Sequence, residues 1–249
     1  MEGVAYEQFL GLERDHWWFI GRRRCYFTLL EHFLKNARDL RVLDVGCGVG
    51  GMLPELARFG KPIGIDSDRR SIEICRERGF PNSFLGGGMD IPAQSGCADL
   101  VTFFDCIEHL PDDERALRDA NRVLRAGGHL FISVPAYQFL YSNNDKVAHH
   151  FRRYTRGELV RKVRAAGFEV VKATYVNVTL FPLILPAVLL FKLKEALFPK
   201  LDDTRTNLSH VPARPINSLL AAIFGGEGKL LRYLSAPFGH SLALIARKR

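Results

Sequence analysis

Two aspartates and a run of glycines are the first residues here whose types and spacing could do chemistry. Asp44 precedes Val45-Gly46-Cys47-Gly48-Val49-Gly50-Gly51, and Asp66 lies twenty residues beyond Gly46. Glycines let the backbone turn sharply and approach a ligand without interference from Cβ. A helix that follows such a loop presents unpaired N–H groups and a positive dipole end. That setting suits an anionic group, either a pyrophosphate or the carboxylate of an amino acid. Asp66, with Ser67 beside it, is placed to accept from both hydroxyls of a ribose. Gly46, Gly48 and Gly51 also satisfy G-x-G-x-x-G, so the loop and Asp66 indicate an adenosine-type cofactor, either NAD or S-adenosylmethionine. Asp44 discriminates between them. Two residues before the first glycine, an acid can meet a cationic amino group but would repel a pyrophosphate.

A second set of reactive types lies downstream. His109, His149 and His150 are candidate proton acceptors, because imidazole titrates near neutrality. His109 also reads as a packing or capping residue, and Glu108 as a charge favouring the next helix start. The segment His149-His150-Phe151-Arg152-Arg153-Tyr154 reads as an acceptor lid, its two arginines suiting a phosphate or carboxylate. The alternative is that Arg153 and Tyr154 brace the loop. His16, Trp17, Trp18 and Arg22 are expected to close the site from the N-terminal side, a tryptophan as lid and Arg22 as anion contact. No C-x-x-C pair occurs among the five cysteines, and no metal site is expected.

Positioning these residues requires alternating strands and helices. Arg41–Val45, 62–65, 99–104, 129–134 (after the turn Ala126-Gly127-Gly128), 168–176 and 241–246 read as strands. Helices are expected over 53–59, 69–78, between 104 and 129, and over 155–166. Short apolar strands alternating with helices imply a parallel sheet covered on both faces. The first forty residues read as a helical cap, with one stripe at Tyr6, Phe9 and Leu10 and another from Tyr26-Phe27 to Phe33-Leu34. Residues 173–191 carry no charge, but Pro182 and Pro186 argue against a spanning helix. A buried strand and cap helix is the expectation, with peripheral membrane contact through 178–194 as the alternative. The domains expected are a cap (1–39), a cofactor-binding core (40–176), an apolar helical insertion (177–238) and a last core strand (239–249).

The order VLDVGCGVG, GIDSD, DLVTFFDCIEHL and RVLRAGGHLFISVP resembles the class I S-adenosylmethionine-dependent methyltransferases of the ubiquinone-biosynthesis-like group, over residues 12 to 176. The resemblance implies a Rossmann-like, seven-stranded sheet with the last strand antiparallel and helices on both faces. It implies S-adenosyl-L-methionine as cofactor and S-adenosyl-L-homocysteine as product. Asp44, Gly46, Cys47, Gly48 and Gly50 would hold the methionine moiety, Asp66 and Ser67 the ribose, and the 88–90 loop the adenine. Asp105 and Cys106 would line the cofactor near its methyl group. One departure stands out. Gly87 occupies the place where such proteins often carry an acid for the adenine amine, leaving Met89 and Asp90 to read the base.

With 47% hydrophobic and 25% charged residues, the chain has globular composition. A net charge of +8 permits an anionic partner. No basic stripe with interleaved aromatics accompanies it, which argues against nucleic acid. The free cysteines fit a reducing cytoplasm. The acceptor expected is a small or lipid-linked molecule, methylated on oxygen. The alternatives are a non-catalytic cofactor-binding module, an RNA methyltransferase and an NAD(P)-dependent oxidoreductase.

Overall fold

The computed structural model describes residues 11–35, 37–197 and 211–249. Seven strands form one sheet: β1 (Leu40–Val45), β2 (Gly60–Asp66), β3 (Ser83–Leu85), β4 (Ala98–Phe104), β5 (Leu124–Pro135), β6 (Phe168–Val176) and β7 (Ser241–Lys248). Their order is β3-β2-β1-β4-β5-β7-β6. The first five strands pair in parallel, and β7 runs antiparallel between β5 and β6. This is the expected seven-stranded class I sheet. Its order reverses beside β1, where β1 leads towards β2 on one side and β4 on the other. Ligands of open α/β sheets bind at such a point, beyond the carboxyl ends of the strands.

The central strands are buried on both faces, as their unbroken apolar sequences require. Val42, Leu100, Val101, Phe103, Leu130, Phe131 and Ile132 are fully buried and belong to one continuous core. The helices covering them are α2 (Leu53–Leu56), α3 (Arg69–Glu77), α4 (Asp113–Val123) and α6 (Arg156–Ala165), with a short α5 (Asn143–Val147). Side chains of Asp68, Asp112 and Thr155 accept from backbone N–H groups of Ser71, Arg115 and Glu158 and so cap α3, α4 and α6. One strand is longer than expected. β5 runs through Ala126-Gly127-Gly128 rather than starting after it, because Leu124 pairs with Ala98 before a register shift.

The remaining helices are α1 (Trp17–Phe33), α7 (Phe181–Leu197) and α8 (Arg214–Leu231). The stripe at Tyr6, Phe9 and Leu10 lies outside the described residues. α1 and α8 pack together closely through small residues. A Cβ on Gly21 would lie 2.8 Å from the Phe224 side chain, and one on Gly228 would lie 2.9 Å from the Cys25 carbonyl. Asn217 of α8 accepts from the Trp17 amide at 2.8 Å and donates to the Asp15 carbonyl at 2.7 Å. The N-terminal cap and the insertion therefore form one layer, not two separate additions.

Candidate active site

The glycine loop turns where β1 ends. Gly46, Gly48 and Gly50 all have positive φ, at 73°, 52° and 83°. Gly46 has a second reason to be glycine, since a Cβ there would lie 2.2 Å from the Cys106 sulfur. Cys47 is buried under the same loop. In front of Gly48 and Gly87 a Cβ would meet nothing within 4 Å. This leaves open space between the loop and the end of β3.

Asp44 is 1% exposed, and its Oδ1 accepts from Thr102 Oγ1 at 2.7 Å. Burial pushes its carboxyl up to about 7. A desolvated carboxylate with one hydroxyl partner suits an incoming ammonium. Asp66 accepts from the Gly48 and Asp68 amides at 2.8 and 2.9 Å, which aims its carboxylate across the loop. Burial moves its carboxyl upward too. Ser67 is exposed beside it. Met89 is half-buried and Asp90 exposed, in a turn closed by a Gly87–Asp90 bridge. A Cβ on Gly88 would lie 2.9 Å from Leu110, so Leu110 supplies an apolar wall that sequence reasoning did not single out. Buried acid for the amino group, carboxylate for the ribose and apolar slot for the base together fit S-adenosylmethionine.

The N-terminal helix closes this region. Arg22 pairs with Asp105 and lies 4.4 Å from the Trp18 ring and 4.7 Å from that of Phe19. Trp18 thus packs on the closing arginine, while Trp17 is half-buried against the core. His16 serves as the cap of α1, its Nδ1 accepting from the Trp18 amide at 3.2 Å. Glu13 is an unforeseen contributor. Its carboxylate covers Gly51 so closely that a Cβ there would lie 1.4 Å from Oε1.

Asp105, at φ 48°, ends β4 in a conformation that non-glycine residues rarely adopt. Its amide donates to the Ser133 carbonyl at 3.0 Å and hydroxyl at 3.1 Å, anchoring the strained turn. Cys106 follows, buried against Gly46, and burial pushes its thiol well up. Residues Ile107–His109 form a single 3-10 turn. The sequence reads Glu108 as a charge favouring the next helix start, and Asp112 supplies the side-chain cap of α4. Glu108 is fully buried, and neither carboxyl oxygen has a protein partner. Burial and the nearby Asp105 push its carboxyl well above the usual range.

His109 and His150 meet edge to face, with ring centroids 4.5 Å apart. Burial, reinforced by His150, lowers His109 to about 4, so its ring is neutral. His150 Nδ1 lies 2.8 Å from Asp145 Oδ1, a pairing that leaves Nε2 to exchange a proton. Asp145 is buried. Although burial pushes its carboxyl up, hydrogen bonds from His150 and Arg153 hold it down at about 2. Ligand atoms of Glu108, His109 and His150 all lie within 4.8 Å of one another, a grouping able to hold a proton or a cation. The His149 side chain is exposed, at φ 59°, and is not part of that grouping.

Arg152, Arg153 and Tyr154, read from the sequence as an acceptor lid or a loop brace, are each engaged within the protein. Arg153 Nε donates to Asp145 Oδ1 at 2.8 Å, and its Nη1 to the Ala136 carbonyl at 3.3 Å. Arg152 donates to the Pro111 carbonyl at 2.8 Å and approaches Asp113 at 3.3 Å. Tyr154 donates to Asp113 Oδ2 at 2.7 Å. Buried Asp113 also holds Lys162, so it organises two cations and a hydroxyl. Sequence reasoning missed Asp113 and Asp145 because an acid paired at long range has no local spacing signal.

The same order of elements recurs in known proteins. Residues 19–173 match the family model described as a methyltransferase domain. A probable S-adenosylmethionine-dependent methyltransferase of Mycolicibacterium smegmatis is 31% identical over 167 residues, covering 64% of this chain and 62% of that protein. A ubiquinone biosynthesis O-methyltransferase of Cupriavidus pinatubonensis is 26% identical over 152 residues, covering 53% and 61%. The chain thus matches about three-fifths of the length of these relatives. Among solved structures, a possible histamine N-methyltransferase of Thermotoga maritima shares the fold at TM-score 0.58 and 18% identity, covering 99% of this chain and 96% of that one. With the glycine loop, Asp44 and Asp66 arranged as above, the chain belongs to the S-adenosylmethionine-dependent methyltransferases.

Proposed function

We propose that the chain transfers a methyl group to a hydroxyl oxygen of a small or lipid-linked acceptor. The observation that carries this reading is the Asp145–His150 pair beside Glu108 and His109, one turn beyond Asp105. Oxygen acceptors need such a group, since a neutral hydroxyl is a poor nucleophile until its proton has somewhere to go. The relatives named as ubiquinone biosynthesis O-methyltransferases support oxygen as the acceptor atom.

When bound, S-adenosylmethionine supplies a sulfonium-activated methyl group and leaves as S-adenosylhomocysteine. Asp44 and the 46–50 loop would hold its methionine end, Asp66 and Ser67 its ribose, and Met89, Asp90 and Leu110 its base. Asp105 and Cys106 border the place where the acceptor oxygen meets the methyl carbon, and Arg22 with Trp18 keeps water out. His150 takes the acceptor's proton on Nε2 while Asp145 retains Nδ1–H and balances the positive ring, the logic of a carboxylate–imidazole pair. His109 and Glu108, grouped with His150, would orient the hydroxyl.

The test is transfer of radiolabelled methyl from S-adenosylmethionine to fractionated cell extract, with mass-spectrometric identification of the product. Label in the lipid or small-molecule pool, in an alkali-stable methyl ether, is expected. Label confined to RNA or protein would overturn the reading.

A further inference from the structure

Helix α7 is built inside out for a helix that faces water. At 100° per residue, Leu183, Leu189, Leu190, Phe191, Leu193 and Leu197 fall within an arc of about 200°. Each of them is between 46% and 72% exposed. On the opposite arc lie Ile184, Val188, Lys192 and Glu195, the side turned to the protein. There Lys192 Nζ donates to the Phe139 carbonyl at 2.6 Å, and Glu195 accepts from the Asn143 amide at 3.3 Å. Surface helices of water-soluble proteins place these types the other way round.

From this arrangement we propose that α7 lies in the interface of an anionic lipid membrane, a reading that rests on the acceptor site described above. The apolar arc is too broad for one flat protein face to cover, whereas acyl chains surround whatever enters them. The outward arc carries Lys194 and no acid, and Glu195, the sole carboxylate in 178–197, lies on the opposite arc, where it accepts from the Asn143 amide. With a net charge of +8, the chain is drawn to anionic headgroups. Exposed Phe139 and Phe238 extend the patch around the root of the helix, where Phe181 lies 6.2 Å from Phe238 and 5.9 Å from Tyr137. Seventeen residues span about 25 Å, short of a hydrocarbon core of about 30 Å. No helix among the described residues is long and apolar enough to cross a membrane. The helix therefore lies along the surface, its leucines in the acyl boundary.

The placement has a consequence for the acceptor. Phe139 and Asn143, which hold α7, belong to the segment that continues into Asp145 and His150. A membrane-seated α7 keeps the proton-accepting pair over the lipid surface, where the hydroxyl of a lipid-linked acceptor emerges.

Co-sedimentation with phosphatidylglycerol vesicles, compared with phosphatidylcholine vesicles, tests this on the full chain. Wild type is expected to pellet with the anionic vesicles and to be released by salt. Leu183→Glu/Leu190→Glu should weaken that partition by about tenfold or more, as burying a leucine in lipid requires. Affinity for S-adenosylhomocysteine and the melting temperature should stay unchanged, because these side chains already face out. Absence of vesicle binding, or binding indifferent to the double variant, would overturn the proposal. So would sedimentation showing a dimer that the same variant dissolves. Loss of cofactor binding in wild type would instead sink the methyl-transfer reading and leave the membrane reading standing.

Discussion

Replacing Asp44 with Asn separates what the site does for the ligand from what it costs the fold. The carboxyl is buried, holds one hydrogen bond from Thr102, and is raised by burial from 3.8 to about 7. For an acid raised in the folded state, the folded protein binds the proton more tightly than the unfolded chain. The stability this gives is present at low pH and is lost as pH rises through about 7. Roughly three pK units correspond to a loss of stability of about 4 kcal/mol at pH 8, and of only about 2 kcal/mol near pH 5.5. Asparagine keeps an acceptor for Thr102 and removes the buried charge. Ligand-free Asp44→Asn should therefore melt higher than wild type at pH 8, at about 2–4 °C per kcal/mol, with a smaller gain at pH 5.5. Binding should move the other way. Without a carboxylate facing the ammonium, affinity for S-adenosylhomocysteine should drop by about a hundredfold, the usual scale for removing one partner of a buried charge pair. Wild-type affinity should peak between about pH 7, where Asp44 ionises, and about pH 8, where an α-amino group loses its proton. The variant should lose the acidic limb. Calorimetry and scanning fluorimetry across pH read both effects. Tight binding by the variant, or a lower melting point at pH 8, would refute the idea of a desolvated charge awaiting a cation.

Three further outcomes are expected. His150→Gln should cut kcat by about 10²- to 10⁴-fold with S-adenosylhomocysteine affinity intact, and a wild-type rate would remove His150 from proton transfer. Gly46→Ala combines a φ of 73° with a Cβ 2.2 Å from Cys106. It should lower stability by about 1–3 kcal/mol in thermal melts, with Cys106→Ala recovering only the part due to the sulfur, since the Cys106 Cβ would still lie 2.8 Å away. Chelation with EDTA should leave methyl transfer unchanged. A loss that Mg²⁺ or Zn²⁺ restores would make Glu108, His109 and His150 a cation site instead of a proton site.

The cofactor half of the site was legible because its requirements are local. Gly46, Gly48 and Gly50 are marked by backbone conformations few other residues tolerate, and Asp44 and Asp66 by their distance from the loop along two adjacent strands. The acceptor half was only partly readable. His109 and His150 stood out by type, yet their partner Asp145 and the buried state of Glu108 depend on how the 138–154 segment folds back over the 3-10 turn. The Phe151 amide donating to the Glu108 carbonyl at 2.8 Å is one of the bonds that bring them together. Arg152 and Arg153 misled for a related reason. Two adjacent cations look like an anion site until Asp113 and Asp145, far away in local pattern, turn out to occupy them.

The two additions to the sheet act as one device. α1 carries Arg22 to Asp105 at the carboxyl edge of β4, and Asn217 fastens the start of α1 to α8. Glu227 of the same α8 accepts from the Val178 and Thr179 amides at 3.0 and 2.8 Å, holding the root of α7. Polar contacts of α8 thus hold both the start of α1, the helix of the closing arginine, and the root of the helix with the outward leucines. Asn177, buried with neither end of its amide partnered, sits at that root on the carboxyl edge of β6. A buried amide of this kind costs free energy unless something satisfies it.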